Sequence, residues 1–427
     1  MGQGGRPDGR NCRGASIYRL RSLRVPPRHP VEPAARLLEE ADHCVKCGLC
    51  LPVCPTYRLA VLEAESPRGR IALIQGLLQG GLARAPSLER HLDSCLGCRA
   101  CEAACPSGVH YGALIDGART RLRRPRGIGR RALLALASRP RWFAGASALA
   151  RALGLRRLAG WLPDPLGRWL GFVAPAPAPA PRTLSAAPRG TSRGRVGIFL
   201  GCVAREADAA VHRSAARLLP ALGYGVVCPA DQGCCGAMHL HAGLPEQAAR
   251  LAETNGRAFT GLGLEAILVT ATGCGAVLRE HGPGVAAVDL LGFLARADWS
   301  GLEAHADPVR VAVHLPCSAR DAGLAVADVL GLLARIPGVE AMPIDPGLGC
   351  CGAAGTYMLH HAATADALRQ GVLDAVAATG AKVLVTANTG CAMHLRAGLA
   401  ARGLRVRVAH PVELLAEAYV GTGDDLV

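Results

Sequence analysis

Twelve residues decide the fold of the first third of the chain: Cys44-Val-Lys-Cys47-Gly-Leu-Cys50-Leu-Pro-Val-Cys54-Pro55. The same spacing, C-x2-C-x2-C-x3-C-P, recurs at Cys95, Cys98, Cys101, Cys105 and Pro106. This is the spacing with which bacterial-type [4Fe–4S] clusters are ligated, because three closely spaced thiolates can wrap one face of a cluster. The fourth cysteine leaves on a helix start, where the following proline needs no amide donor.

The two motifs predict crossed ligand sets, since in two-cluster ferredoxins the fourth cysteine of each motif ligates the other cluster. We therefore assign two [4Fe–4S] clusters, one held by Cys44, Cys47, Cys50 and Cys105, the other by Cys95, Cys98, Cys101 and Cys54. The alternative is zinc, which commonly takes two separated C-x2-C pairs and needs no third cysteine two residues later. Eight cysteines in two such motifs favour the clusters.

The stretch between the motifs predicts a helical insert. Ser66-Pro-Arg-Gly-Arg-Ile71 opens a segment whose apolar residues keep helical spacing to Leu78. We therefore expect an α-helical ferredoxin domain over residues 35–120. Arg68 and Arg70 either offset the negative charge of thiolate-bound clusters or belong to a solvated helix start, and both interpretations stay open.

Charge is concentrated in two segments of the 427-residue chain, whose net charge is +15. Residues 1–30 hold seven Arg and one Asp, and residues 121–172 hold twelve Arg and one Asp. The remainder is nearly neutral and carries no recognition motif, so nucleic-acid binding is not expected. We interpret residues 1–34 as a disordered basic leader in which Cys12 has no role.

Neither an 18-residue apolar run nor the apolar core of a signal peptide is present, which predicts a cytoplasmic protein with reduced thiols. Residues 121–173 form a basic helical segment in which Arg clusters alternate with Leu, Ala and Trp. It could lie peripherally on the inner face of the cell membrane, on a partner subunit or on the protein's own core. Residues 174–195 are predicted to form a semi-rigid Ala/Pro linker, which marks a domain boundary.

The last half of the chain repeats itself. Val196-Gly-Ile-Phe-Leu-Gly-Cys202 matches Val311-Ala-Val-His-Leu-Pro-Cys317, and a Gly-Cys-Cys-Gly block occurs in both copies. The offsets between matching blocks are 115, 116 and 117 residues, which indicates a duplicated domain. We predict repeats at 196–300 and 308–420, each a small α/β unit with a largely parallel sheet.

Four cysteines recur in each repeat, near predicted strand ends where open α/β sheets bind ligands. They are Cys202, Cys234, Cys235 and Cys274 in the first copy, and Cys317, Cys350, Cys351 and Cys391 in the second. Recurrence of all four favours a metal or redox role over packing, although packing accounts for a lone cysteine such as Cys228. An additional cluster, a zinc ion and a docking surface all remain open.

The chain from about Ala41 onward resembles the glycolate oxidase iron–sulfur subunits. The paired-cysteine blocks also resemble the cysteine-rich "CCG" domain found in heterodisulfide reductases and in anaerobic glycerol-3-phosphate dehydrogenases. These resemblances rest on the two ferredoxin motifs, Ser66-Pro-Arg-Gly-Arg-Ile71, Cys105-Pro-Ser-Gly-Val-His-Tyr111, Cys234-Cys-Gly-Ala-Met-His239 and Cys350-Cys-Gly-Ala-Ala-Gly-Thr-Tyr357. The implied fold is an α-helical ferredoxin domain followed by a tandem repeat of small α/β CCG domains.

The resemblance implies an electron-transfer subunit of a glycolate oxidase or dehydrogenase complex. A partner FAD-containing hydroxy-acid oxidase subunit would oxidise glycolate to glyoxylate, and electrons would pass to a quinone-type acceptor. The absence of G-x-G-x-x-G after a predicted strand agrees with a flavin on another chain, and no catalytic residue is assigned here. The alternative is an iron–sulfur subunit of a lactate or glycerol-3-phosphate dehydrogenase, or a disulfide-reducing chain like those of heterodisulfide reductases.

One departure from the family pattern concerns the last cysteine of each repeat. In the fuller motif it opens a C-x2-C pair, but this chain has Val277 and His394 at the partner positions. The departure argues against non-cubane clusters and against disulfide reduction. In the second repeat, His314, His360 and His394 are candidate additional ligands.

Overall fold

The computed structural model describes residues 33–122, 128–162, 164, 166–172, 184–282 and 286–421. Residues 1–32, which include most of the predicted leader, lie outside the described residues. Residues 33–122 form helices and no strand. These are α1 Ala34–Asp42, α2 Pro55–Ala60, α3 Pro67–Leu78, α4 Pro86–Asp93, α5 Ala100–Ala103 and α6 Tyr111–Leu122, with a 3-10 turn at Glu63–Glu65.

Helix α3 is the predicted helical insert, and its start is fixed locally. The Ser66 hydroxyl caps the helix by accepting a hydrogen bond from the Gly69 amide at 2.9 Å, and Pro67 occupies the first turn. Its inward face joins a small apolar core with Leu37, Leu92 and Leu114, all essentially inaccessible to solvent. This core holds the two cysteine motifs in one domain.

The basic segment packs one side against the chain's own repeats. It contains α7 Ile128–Ala137, α8 Pro140–Ala152, a 3-10 turn at Leu155–Trp161, and α9 Leu166–Phe172. Arg168 forms a bidentate ion pair with Asp366, at 2.8 and 2.9 Å, and donates to the Met358 carbonyl at 2.8 Å. Of the three interpretations left open by the sequence, contact with the protein's own core therefore holds for this side.

The first repeat carries a five-stranded sheet. Its elements are β1 Leu184–Ala186, β2 Arg195–Phe199, α10 Val203–Ala207, α11 Ala209–Ala221, β3 Gly225–Cys228, α12 Ala237–His241, α13 Pro245–Phe259, β4 Ala266–Val269, α14 Thr272–His281, β5 Ala287–Asp289 and α15 Leu290–Arg296. The strand order is β1-β3-β2-β4-β5, parallel except for β1.

The second repeat carries a four-stranded, fully parallel sheet in the order β7-β6-β8-β9. Its elements are β6 Val309–His314, α16 Ala319–Ala322, α17 Val326–Leu333, β7 Val339–Pro343, α18 Tyr357–His360, α19 Ala362–Thr379, β8 Val383–Thr386, α20 Thr389–Ala401, β9 Arg407–Ala409 and α21 Pro411–Val420. The prediction of a helical first domain followed by two α/β units with largely parallel sheets is confirmed at this level.

Strand β1 differs from the sequence expectation, because it falls within the predicted 174–195 linker. Residues 173–183 lie outside the described residues, but Leu184–Ala186 pairs antiparallel with β3, Leu184 lying opposite Cys228. Three residues offer no alternation long enough to predict a strand there. The backbone of β1 satisfies the exposed edge of β3, which would otherwise be free to pair with another chain.

The two repeats pack on each other with approximate two-fold symmetry. Helix α11 contacts α21, and their counterparts α17 and α15 contact each other in the same way. One continuous apolar core runs through both repeats and includes Leu218, Leu291 and Leu415, each fully buried. The duplicated halves are therefore one packed unit. None of the described helices is long and apolar enough to cross a lipid bilayer.

Asp289 connects the first sheet to α15 and generates a stability prediction. Its carboxylate accepts hydrogen bonds from the amides of Leu291 at 2.9 Å and Gly292 at 3.2 Å. Asp289→Ala leaves both amides without this cap and should cost about 1 kcal/mol, whereas Asp289→Asn keeps an acceptor and should cost little. Urea unfolding of the two variants, followed by circular dichroism, measures the difference.

The same pair of variants leads to a prediction about pH. Burial raises the pKa of Asp289 to about 7, so the folded protein binds this proton more tightly than the unfolded chain does. Wild-type stability should therefore fall relative to Asp289→Asn as pH rises from about 4 to about 7, and stay level above that. Parallel stability curves for the two proteins over this range would contradict the assignment.

Candidate functional site

The first cysteine motif borders a cavity together with the last cysteine of the second. Cys44, Cys47, Cys50 and Cys105 all line it, and so does Cys101 of the second motif. The loop is shaped by Lys46 and Gly48, whose φ angles of 57° and 87° lie in the left-handed region. The remaining wall is largely apolar, and Cys47 is exposed to solvent.

The second motif gathers around Cys54, the last cysteine of the first. Burial raises the pKa of the Cys101 thiol, and neighbouring thiolate charge raises it further; the contributing cysteines are Cys98, Cys95 and Cys54. Cys95 accepts hydrogen bonds from the Gly97 amide at 3.4 Å and the Tyr111 hydroxyl at 3.8 Å. Cys54 therefore lies near the second motif and Cys105 near the first, although Cys54 also neighbours Cys50 of the first motif; the crossed ligand sets stay a prediction.

The donor set of both groups fits an iron–sulfur cluster. Each brings four thiols together from two separate segments, and cluster ligation requires four cysteine thiolates. The surroundings supply sulfur-directed hydrogen bonds and an apolar wall, the features that stabilise and tune bound clusters. No disulfide competes for these thiols, because all the cysteines in the described residues are free.

Arg70 is a buried cation beside the second group and is 1% exposed. Its guanidinium donates to the Glu65 carbonyl at 2.6 Å, to the Thr56 hydroxyl at 3.0 Å and to the His91 carbonyl at 2.7 Å. It also pairs with the Glu65 carboxylate, which accepts from Ser94 as well. The solvated alternative for Arg70 is therefore wrong, because every side of the guanidinium is used inside the fold.

Arg70 also acts electrostatically on the cysteines. Burial alone would lower the pKa of Arg70, but nearby acidic groups, Cys95 and Cys54 among them, raise it well above its ordinary value. The residue therefore remains a permanent positive charge next to two thiols of the second group. Arg68, by contrast, lies at the first motif, where it donates to the Lys46 carbonyl at 3.1 Å and pairs with Glu63 at 2.7 Å.

Each repeat assembles its four cysteines as two sulfur pairs. In the first, the Cys202 and Cys234 sulfurs are 3.3 Å apart, and the Cys235 and Cys274 sulfurs are 3.2 Å apart. In the second, Cys351 and Cys391 are 2.8 Å apart, and Cys317 is hydrogen-bonded to Cys350. The adjacent cysteines, Cys234 with Cys235 and Cys350 with Cys351, are also hydrogen-bonded to each other, so the two pairs join into one set of four sulfurs. Within the described residues, neither these cysteines nor those of the ferredoxin motifs form a group of three or more ligands around a single metal ion.

The backbone of the paired-cysteine loop needs glycine. Gly352 has a φ of 82°, and a Cβ there would lie 2.4 Å from the Ala365 carbonyl oxygen. Its amide donates to the Cys350 sulfur at 3.4 Å, and the Gly236 amide donates to Cys234 in the same way at 3.5 Å. Each Cys-Cys-Gly sequence therefore places the glycine amide as a donor to the sulfur of its first cysteine.

The outer cysteines lie where the strand order reverses. In the first repeat, Cys202 follows β2, and Cys274 lies in the first turn of α14, which follows the neighbouring strand β4. In the second repeat, Cys317 follows β6, and Cys391 lies in the first turn of α20, which follows the neighbouring strand β8. Open parallel sheets bind ligands at this reversal point. Helix N-termini also favour negative charge, and Cys274 and Cys391 lie in the first turns of α14 and α20.

The candidate histidine ligands of the second repeat are otherwise engaged. The ring nitrogens of His394 contact the Ala365 carbonyl at 3.1 Å and Arg369 at 3.4 Å. His314 is hydrogen-bonded to the Thr386 hydroxyl at 2.9 Å. His360 lies in the short helix α18 and also has a partner within the protein. Cys228 is buried at the end of β3, as expected for a packing residue.

The second ferredoxin motif docks against the second repeat, a contact that sequence reasoning missed. Burial raises the pKa of Cys98, and the charge of Cys317 raises it further, so the two thiols are neighbours. Arg320 donates to the Cys98 carbonyl at 3.4 Å. Arg99 bridges both repeats, to Glu280 at 2.7 Å and to Asp321 at 3.8 Å.

Asn388 is a second residue that sequence reasoning missed. Its side chain donates to the Cys391 sulfur at 3.5 Å and accepts from the Gly273 amide at 3.2 Å, which joins the cysteine regions of the two repeats. A signal was present in the sequence. The offset between the repeats grows from 116 to 117 residues just before Cys391, which indicates one extra residue in this loop.

Two domain families match the chain. Residues 40–109 match the family described as "4Fe-4S dicluster domain", which covers both ferredoxin motifs. Residues 196–279 and 311–396 each match the family described as "Cysteine-rich domain", one match for each repeat. The matches agree with the duplication and with the cluster-binding character of the first third.

Full-length relatives match as well. The chain is 32% identical to the probable glycolate oxidase iron-sulfur subunit of Bacillus subtilis, over 89% of this chain and 94% of that protein. It is 34% identical to the glycolate oxidase iron-sulfur subunit of Escherichia coli, over 88% and 93%. One subunit of the anaerobic glycerol-3-phosphate dehydrogenase of Escherichia coli is 28% identical, over 55% of this chain and 61% of that protein. The chain therefore belongs to the family of the glycolate oxidase iron–sulfur subunits.

Proposed function

We propose that this chain conducts electrons from an FAD-containing hydroxy-acid oxidase subunit toward a quinone-type acceptor, as part of a glycolate-oxidising complex. The observation that carries the proposal is the placement of the two cysteine groups. The first has an exposed cysteine, Cys47, at the surface, and the second has Cys98 near Cys317, where the domain meets the second repeat. Such an arrangement supports a route from the surface site toward the second repeat.

The α-helical ferredoxin domain would hold two [4Fe–4S] clusters, with the crossed ligand sets given above. Bound clusters supply one-electron transfer, which matches the need to empty a two-electron flavin in single steps. The protein holds the thiols in place and keeps water from the second group through the packed contact with the repeats. Arg70 contributes a fixed positive charge there, which stabilises additional negative charge in its vicinity.

The surface around the first group supports docking of the electron donor. Val45, Leu49, Val61 and Leu62 are exposed by 69%, 55%, 75% and 49%, all close in sequence to Cys47 or to helix α2. Val61 has a φ of 51°, a left-handed conformation that a β-branched residue rarely adopts. An apolar face beside a cluster site excludes water when a partner binds, so we assign this side to the FAD subunit.

The cysteine sets of the repeats are candidates for an additional cluster, whereas, in the part of the chain that the structure describes, no three of their cysteines are arranged to hold a single zinc ion. The set of the second repeat is the better candidate for electron transfer, because it neighbours Cys98. Substrate specificity belongs to the flavin chain. The alternative is a complex that oxidises lactate or glycerol-3-phosphate. It is supported by the similarity to the glycerol-3-phosphate dehydrogenase subunit of Escherichia coli, which is lower than the similarity to the glycolate oxidase subunits.

Paired cysteine replacements test the crossed ligand sets. Cys54→Ala with Cys98→Ala removes two ligands from one set, so one cluster should remain and the dithionite-reduced protein should show about one spin per chain by EPR. Cys54→Ala with Cys47→Ala removes one ligand from each set and should leave about none. Uncrossed ligation would reverse the two spin counts.

A second experiment tests electron transfer through the second group. With the FAD subunit co-purified, Cys98→Ala should lower glycolate-dependent reduction of a soluble quinone analogue by about a hundredfold or more, because its cluster lies on the route. Reduction of a dye that accepts directly from the flavin should be unchanged. Cys228→Ala, which replaces a buried cysteine remote from both groups, serves as the control.

Equal quinone reduction by the Cys98→Ala and wild-type complexes would show that electrons bypass the second group. That result would contradict the proposed function even if the wild-type chain binds both clusters.

A further inference from the structure

The helix α8 is apolar on two faces, and only one of them has a partner within the described residues. Its inward face carries Phe143, Ser147 and Ala150, which are buried against the rest of the protein. Trp142, Leu149 and Leu153 follow a separate helical stripe and are exposed by 67%, 59% and 62%. A helix that is apolar all round normally has its second face covered as well.

The exposed apolar surface extends through the rest of the segment. Leu158, Trp161 and Leu166 are exposed by 50%, 88% and 50%. Six of the thirteen large apolar side chains exposed in the described residues therefore lie between residues 142 and 166. A cluster of this kind marks an interaction surface, whereas single exposed apolar residues are ordinary.

Charge identifies what covers this surface. Arg131, Arg139, Arg141 and Arg157 are exposed in the same segment. The Arg139 guanidinium lies 6.0 Å from the Trp142 ring centre, so cation and indole are side by side. Residues 121–172 carry a net charge of +11 by sequence, and Asp164 is their one acidic residue. The partner should therefore be anionic and apolar at once.

We propose that this segment docks on the surface of an anionic phospholipid bilayer. Tryptophan prefers the boundary between headgroups and acyl chains, and arginine binds the phosphate groups above it. The site would take phospholipid headgroups of net negative charge and the adjoining acyl chains. It lies on elements other than the two ferredoxin motifs, so the proposal does not depend on the electron-transfer function.

Vesicle binding tests the proposal with the intact, anaerobically purified chain. We expect co-sedimentation with vesicles of equal parts phosphatidylglycerol and phosphatidylcholine, little with phosphatidylcholine alone, and weakening by added salt. Arg139→Gln with Arg141→Gln should lower the partition coefficient about fivefold for each arginine removed. Trp142→Ser with Leu149→Ser should lower it at least about tenfold, since apolar area drives insertion.

A matched control removes two charges elsewhere. Arg84→Gln with Arg310→Gln changes arginines that are 47% and 59% exposed in the ferredoxin domain and the second repeat, and it should bind like the wild type. Circular dichroism and the visible spectrum of each variant establish that it is folded. Brominated phosphatidylglycerol adds a readout, because it should quench Trp142 and Trp161 but not the buried Trp299.

Two results would overturn the proposal. One is binding that is absent, or equally strong on phosphatidylcholine alone and insensitive to salt. The other is association of the chain with itself, dependent on its concentration, or association with the FAD subunit. This result counts against the proposal if the double variant Trp142→Ser with Leu149→Ser abolishes the association and leaves vesicle binding unchanged. That outcome would assign the surface to a protein partner.

Discussion

The fold of the first third depends on bringing Cys54 to a motif that begins at Cys95, across 40 intervening residues. Under the proposed crossed ligation, four thiols from two distant segments converge twice, and the chain between them must fold back on itself to allow it. Helix α3 and the ion pair between the buried Arg70 and the partly buried Glu65 accomplish this. The Arg70 guanidinium ties the turn before α3 to the end of α4, directly ahead of Cys95.

The same constraint explains why so costly an ion pair lies in the interior. Removing two charges from water carries a penalty that is recovered only when their geometry and remaining hydrogen bonds are satisfied. Here the guanidinium has partners on all its sides, and thiolates nearby gain from its charge. The repeats bring their cysteines together in another way. Duplication supplies two copies of one sheet edge that pack face to face, and Asn388 joins them.

Much of this organisation could be predicted from the sequence. The motif spacings predicted two cysteine groups, and the offsets of 115 to 117 residues predicted the duplication and its parallel sheets. The proximity of Cys98 to Cys317 could not be predicted, because it depends on how separately folded units pack. Strand β1 was missed because three residues give no periodicity, and the burial of Arg70 was undecidable because a helix start is usually solvated.

Metal analysis of the anaerobically purified chain tests the central claim most directly. If eight thiols hold two cubane clusters, iron and acid-labile sulfide should each reach about eight per chain or more, and reduction with dithionite should produce an EPR signal. Colourless protein that contains zinc instead of iron and gives no signal on reduction would contradict it.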